Sequence, residues 1–288
     1  MAKIIATINL KGGVAKTTTT VGLAETLACE FDKSVLVIDL DPQTNATTML
    51  IQEEKWRELN NKELTTARLF KDSKLAMNER KFDLRNTIQY GVSSIDKVKK
   101  LDLLPSSLEL IEIQDNLTSI YRGRFNAITP VDILKRAINE VVDNYDYILI
   151  DCPPNLGTIT LNGLRISDGY IIPTIPDVLS TYGIPQVVKW ISEFSSEIDK
   201  EIKPIGIVIT KYSSNSAVHK TTIKELELER DVKLFKTKFI QCNDLAKAAE
   251  YTEVNTLAKK WGYGEKHYDL FIEFAKEFMG VCNDEFGV

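Results

Sequence analysis

A chain of 288 residues with 43% hydrophobic and 27% charged content can bury a full core, and we expect one domain spanning residues 1–288. A net charge of −5 argues against strong, constitutive nucleic-acid binding, although residues 211–260 are locally basic, with ten Lys/Arg against seven Asp/Glu. Four scattered cysteines (Cys29, Cys152, Cys242, Cys282) without a C-x-x-C pair remove a zinc knuckle and a disulfide framework, and no signal-peptide pattern or long apolar run appears, so a soluble, cytoplasmic protein is expected.

The chain opens on KIIATI (3–8), an apolar, β-branched run that reads as a strand. LKGGVAKTTTT (10–20) follows, and a helical pattern runs from Thr17 to Glu30. A strand, a glycine loop and a helix form the context in which backbone N–H groups and a helix N-terminus cradle phosphates. Gly12 and Gly13 permit close backbone approach. Lys16 is placed to reach the β- and γ-phosphates, Thr17 to give its hydroxyl to Mg²⁺, and Thr18 to sit near the α-phosphate. The usual G-x-x-x-x-G-K-[ST] pattern fails, because Leu10 and Ala15 stand at its two flanking glycine positions. An alanine at position 15 is expected to need a helix-compatible backbone.

SVLVIDL (34–40) reads as the second strand and delivers Asp39, with Asp41 just beyond it. Residues 46–100 are richly charged with weak periodicity and read as a helical and loop insertion decorating the core. Further strands are expected at LDLLP (101–105), YILIDCPP (147–154, delivering Asp151), GYIIPTI (169–175) and PIGIVIT (204–210). Helices are expected at Val131 to Asn144, Tyr182 to Phe194 and Lys220 to Glu229. Near-continuous apolar strands alternating with helices give an α/β fold, doubly wound, with a mostly parallel sheet, helices on both faces and ligands at the carboxyl ends of the strands. At 265–288, Leu270, Phe271, Phe274 and Phe278 recur at helical spacing and predict a docking helix. Its polar residues Glu273, Glu277, Asp284 and Glu285 are acidic, the wrong sign for a membrane-surface helix.

The stretch KGGVAKTT, with a lysine at Lys11 ahead of the glycines, resembles the deviant Walker A box of the ParA/MinD ATPases, which are P-loop NTPases. The resemblance extends to LDLLPSSLEL, DGYIIPTIPDVLSTYGI, PIGIVITKYSSNSAVHK and FKTKFIQCNDLAKAAE, and so covers most of the chain. It implies binding of ATP with Mg²⁺ by Lys11, Gly12, Gly13, Val14, Ala15, Lys16, Thr17 and Thr18. In that family the extra lysine reaches phosphates bound by the partner subunit, which implies a nucleotide-sandwich homodimer with Lys11 and Lys16 both serving catalysis. VLVIDLDPQTNAT resembles the family's switch I and assigns to Asp41 the orientation or activation of the attacking water, with Asp39 supporting the loop through contacts behind the magnesium. YDYILIDCPPNLG resembles the Walker B strand and switch II, with Asp151 binding Mg²⁺ directly or through water.

The P-loop begins about ten residues from the start, which implies the small, Soj-like type of partition ATPase without an N-terminal helix-turn-helix. Such a protein would bind nonspecific DNA in its ATP-bound dimer, associate with the nucleoid, hydrolyse ATP slowly and answer to a ParB-like, centromere-binding adaptor. Lys211, Lys220, Lys236, Lys238 and Lys247, with Lys233, Lys259 and Lys260, are the candidate DNA surface. Three rival readings are a MinD-like membrane-binding regulator, which the acidic tail opposes, an iron–sulphur carrier, for which Cys152 has no partner by spacing, and a ParA-like ATPase that positions a protein cargo such as a chemosensory cluster or carboxysome. Sequence does not separate the last from plasmid or chromosome partition.

Overall fold

Seven strands form one sheet: β1 (Lys3–Thr7), β2 (Val35–Asp39), β3 (Leu101–Leu104), β4 (Tyr147–Asp151), β5 (Gly169–Thr174), β6 (Lys203–Tyr212) and β7 (Leu234–Ile240). In this computed structural model, which describes residues 2–120, 130–228, 232–241, 247–262 and 267–287, every strand pairing within the sheet is parallel. The spatial order is β3-β2-β4-β1-β5-β6-β7, so β1 sits between β4 and β5 and the chain leaves it toward both halves of the sheet. That reversal opens a crevice beyond the carboxyl ends of the central strands, where a doubly wound fold binds its ligand.

Side-chain alternation along the strands builds two cores, one on each face. Ile4, Ala6, Leu36, Ile38, Ile148 and Ile150 point to one side, where they meet Ile159 and Leu164 of the helix Thr158–Ile166 and Val187 and Ile191 of the helix Ile184–Glu197. Ile5, Val35, Val37, Tyr147 and Leu149 point to the other, against Val21, Leu23 and Leu27 of α1 (Lys16–Glu30) and Phe271, Phe274 and Phe278 of the terminal helix His267–Phe286. The Phe271 ring lies so close to Gly22 of α1 that a Cβ there would overlap it. Residues 45–100 form short helices, of which α2 (Asn45–Leu50) matters most because it follows the second strand and faces the crevice.

Two sequence expectations need correction or addition. The helix expected from Val131 to Asn144 is broken: a regular helix covers only Ile133–Ile138, and i→i+3 bonds from Val141 N–H to Ile138 O and from Asn144 N–H to Val141 O tighten the rest. The β-branched pair Val141–Val142 is a poor continuation for a helix. The strand β7 was not expected at all. It has one solvent-facing side, with Phe235, Thr237 and Phe239 buried and Lys236 exposed. Glu277 of the terminal helix accepts hydrogen bonds from Lys236 N–H (2.7 Å) and Thr237 N–H (3.2 Å), which occupies donors this strand would otherwise offer to another chain.

Candidate functional site

The loop after β1 is fastened on two sides. Asn9, buried, donates from Nδ2 to Pro173 O of β5 (2.9 Å), while its Oδ1 accepts Lys11 N–H (2.9 Å). From the other side Thr210 Oγ1 donates to Val14 O (3.0 Å) and Lys211 Nζ to Gly13 O (2.8 Å). The loop turns through Gly13 at φ +77° and Ala15 at φ 63°, ψ 33°. Ala15 is therefore left-handed, contrary to the helix-compatible backbone expected for it, because it is the N-cap residue at which the loop enters α1. Its carbonyl accepts from Thr19 N–H (3.0 Å) and Thr19 Oγ1 (2.8 Å), bonds that hold a conformation costing an alanine roughly 1–2 kcal/mol. A Cβ built on Gly12 or Gly13 would meet nothing within 4 Å, so the loop is open where an anion would sit.

Lys16 begins α1 and is buried at 7% exposure, with its Nζ donating to Lys11 O at 3.3 Å. Burial pulls its ammonium pKa down, against the opposing pull of Asp151 and Asp41. Thr17 Oγ1 donates to Asp151 Oδ2 (2.7 Å), and Thr20 Oγ1 approaches Asp151 Oδ1 (3.4 Å). The parallel register sets Asp39 of β2 opposite Asp151 of β4, and both are fully buried. Burial pushes the Asp151 carboxyl up to about 7, the Thr17 hydrogen bond opposing it and Asp41 adding to it. Asp39 is held well above the carboxylate range, first by burial and then by Asp151, despite bonds from Thr47 N–H (2.9 Å) and Thr47 Oγ1 (2.7 Å).

The two switch-strand aspartates have different surroundings. Asp39 Oδ1 accepts Asp41 N–H (3.0 Å) and Oδ2 accepts from Thr47, so Asp39 ties the loop to α2 and does not reach the crevice. Asp41 lines the crevice, with Oδ1 fixed by Gln43 N–H (2.9 Å) and its carbonyl by Ser106 Oγ (2.8 Å). Asp151 and Asp41 both face the Lys16 ammonium, and the Thr17 hydroxyl beside the Asp151 carboxyl makes an oxygen donor pair that would fit a divalent cation bound together with a phosphate. Among the described residues no three His, Cys, Asp or Glu side chains gather into a metal cage of their own.

The crevice has a volume of about 610 Å³. Gly12, Gly13, Ala15, Lys16, Thr17 and Thr18 form its floor, Asp41, Gln43, Asn45, Thr48 and Met49 one wall, and Thr210, Lys211, Phe239, Ile240, Gln241 and Phe271 the other. Val14 is wholly buried and contributes backbone alone. Lys11 diverges from Lys16: its Nζ turns to the rim and pairs with Asp177 Oδ1 at 3.5 Å, both side chains about a third exposed. Burial would raise the Asp177 carboxyl, but hydrogen bonds from Ser180 N–H and Oγ together with Lys11 outweigh it and hold the pKa below the usual range. Beside this pair Val178, Leu179 and Tyr182 stand 66–78% exposed.

The structure scatters the lysines expected on a DNA surface. Lys236 and Lys238 leave the outer side of β7, and exposed Lys220 belongs to the helix Ala217–Leu228, whose Ile223 and Leu226 pack on that same side of the sheet. Lys238 pairs with Glu227 of this helix at 3.8 Å. Lys233 and Lys247 are exposed, and so is Lys259, whose neighbours Leu257 and Trp261 pack on the opposite core. Lys211 is at the crevice, bonded to the P-loop. Lys260 is a correction: it is buried against Glu25 of α1 at 2.7 Å, so it offers no charge to solvent. Sequence reasoning missed Asn9, Asp177, Gln43, Thr210 and the Phe239–Gln241 wall. Their common signal is position just past the carboxyl end of a parallel strand or near it.

A P-loop with a second lysine, a hydroxyl–carboxylate pair behind it and an acidic switch wall define a nucleotide-binding site of the P-loop class. The model of the AAA_31 family, described as an AAA domain, matches residues 2–204, and the chain belongs to this family as a ParA-type ATPase. Sporulation initiation inhibitor protein Soj of Bacillus subtilis is 29% identical over 277 residues, 96% of this chain and 98% of that one. Chromosome partitioning protein ParA of Myxococcus xanthus is 28% identical over 78% of this chain and 71% of its own. Among solved structures, a putative plasmid partition protein from Borrelia burgdorferi bound to AMPPNP has a TM-score of 0.71 at 22% identity, covering 97% of this chain and 99% of that chain, and shares the fold. No helix of the described residues is long and apolar enough to cross a membrane.

Proposed function

We propose that the protein is a Mg²⁺-dependent partition ATPase that closes into an ATP-sandwich homodimer, binds nonspecific DNA in that state and segregates plasmid or chromosomal DNA. The observation that carries this reading is the divergence of two lysines in one loop. Lys16 is buried within its own cradle, whereas Lys11 points out of it to the rim and is held there by an ion pair with Asp177 whose side chains are both about a third exposed. Such a pair is worth about 0–1 kcal/mol, so a phosphate presented by a second protomer can outcompete it.

In this reading the backbone N–H groups from Gly12 to Thr18 hold the phosphates, and Lys16 neutralises the β- and γ-oxygens. Mg²⁺ would supply charge neutralisation, held by Thr17 and, directly or through water, by Asp151. Asp39 fixes the switch loop, and Asp41 holds the attacking water in line. Phosphoryl transfer depends chiefly on positioning and charge. Placing one cation on the partner makes hydrolysis conditional on dimerisation, which suits slow turnover stimulated by a ParB-like, centromere-binding adaptor. Similarity to Soj along nearly the whole chain supports this reading, and a cytoplasmic, nucleoid-associated location follows from it.

The test is to measure mass and DNA retention in parallel with ATP, ADP and no nucleotide. A dimer and DNA binding should appear with ATP alone, and Lys11→Ala should bind nucleotide as a monomer while losing both. Equal DNA binding in all three states would sink the proposal.

A further inference from the structure

We infer that Thr210 and Lys211, at the end of β6, form a clip that presets the phosphate nest of the P-loop, with Lys211 the positioning residue that sets affinity for the diphosphate part of a nucleotide. The inference rests on the nucleotide reading above and assigns a role that reading does not contain. Two adjacent residues grip two consecutive loop carbonyls, Lys211 Nζ on Gly13 O at 2.8 Å and Thr210 Oγ1 on Val14 O at 3.0 Å. In a trans peptide the C=O and the following N–H point in opposite directions. Holding these carbonyls toward β6 therefore turns the N–H groups of Val14 and Ala15 away from it, toward the open concave side of the loop.

Gly13 and Ala15 both have positive φ, the alternation that makes successive N–H groups converge on an anion. Lys211 is itself left-handed at φ 50°, a conformation that costs a lysine about 1 kcal/mol and persists where the surroundings impose it. Its side chain lines the crevice together with Lys16 and Thr17, so the clip also adds positive charge beside the floor. Because Lys211 acts on a carbonyl of the loop, its effect falls on every ligand that uses the nest, ADP and ATP alike.

Three variants separate this role from its alternatives. Lys211→Asn keeps a residue that tolerates positive φ but is too short to reach Gly13 O, Lys211→Met removes the charge and keeps the stem, and Lys211→Arg retains a long donor. Calorimetry should show ADP and ATP both weakened about tenfold in Lys211→Asn and Lys211→Met, with most of the affinity retained in Lys211→Arg. Steady-state ATP hydrolysis should show KM raised more than kcat is lowered, and thermal melting of the Asn variant should stay near native. ADP affinity within twofold of native in a folded Asn variant overturns the clip, as does a loss confined to ATP, which would make Lys211 a direct partner of the terminal phosphate. A lower melting temperature with unchanged affinity also overturns it, by showing a merely structural contact. If the native chain binds no ADP, the nucleotide site itself falls and this role with it.

Discussion

At the scale of single residues, two aspartates separated by one position in sequence do different work because one is spent and the other is presented. Asp39 is wholly buried with both oxygens bonded to backbone and to Thr47, whereas Asp41 stands in the crevice wall. Asp41→Ala should therefore slow ATP hydrolysis on the order of 100-fold while leaving ATP affinity within a few-fold, and should trap the dimer. Single-turnover hydrolysis beside equilibrium nucleotide binding reads this directly, and a variant that hydrolyses at the native rate removes Asp41 from the water-orienting role. Ala15 offers a complementary experiment. It occupies a left-handed backbone that glycine adopts freely, so Ala15→Gly should raise stability by up to about 1 kcal/mol in denaturant unfolding without loss of nucleotide binding. A destabilised Ala15→Gly variant would mean that the loop relaxes away from this geometry.

At the scale of elements, α1 joins the phosphate loop to the far end of the chain through one buried node. Glu25 accepts from Lys260 Nζ (2.7 Å), Trp261 Nε1 (2.9 Å) and Ser93 Oγ (2.7 Å), and its side chain and that of Lys260 are at most 3% exposed. Removing one partner strands the other charge in the core, so Glu25→Ala should cost about 3–5 kcal/mol, while Glu25→Leu with Lys260→Met should cost distinctly less. Urea unfolding of the single and double variants measures the difference. A single-variant loss below about 1 kcal/mol would show Lys260 free to reach water. This node also shows where the sequence was opaque. Lys260 reads as a surface charge because its burial depends on a glutamate 235 positions away. Strands β1, β2 and β4 were legible because central parallel strands are apolar along nearly their whole length and turn polar only at their ends, whereas Lys236 and Lys238 break up β7, an edge strand with one wet side. Lys16, Thr17 and Thr18 stood out in the sequence by their place between a strand, a glycine loop and a helix, whereas Lys11 was singled out by the family resemblance. The clip from Thr210 and Lys211 could not, since it depends on which strand the sheet order places beside the loop.

For the whole molecule, a net charge of −5 has to be reconciled with the DNA binding proposed above, and the reconciliation lies in where the charge sits and how many copies would present it. Lys220, Lys236 and Lys238 share one side of the sheet, although Glu227 partly offsets Lys238. A few lysines on one protomer give weak, salt-sensitive attraction, and pairing two protomers on one DNA raises it through effective concentration without new contacts. Under the proposed function, affinity would then depend on the nucleotide because dimerisation would. Each phosphate contact contributes about 0.9 to the slope of log affinity against log salt. Replacing Lys236 and Lys238 together with alanine should accordingly lower that slope by up to about 4 for a dimer, through two residues on each of two subunits. Nucleotide affinity should stay unchanged, because neither side chain lines the crevice. Titrating labelled DNA with the ATP-bound protein at several salt concentrations gives the slope. If it is identical in the double variant and the native protein, DNA is held elsewhere, with Lys247 and the opposite face carrying Lys259 the next surfaces to test.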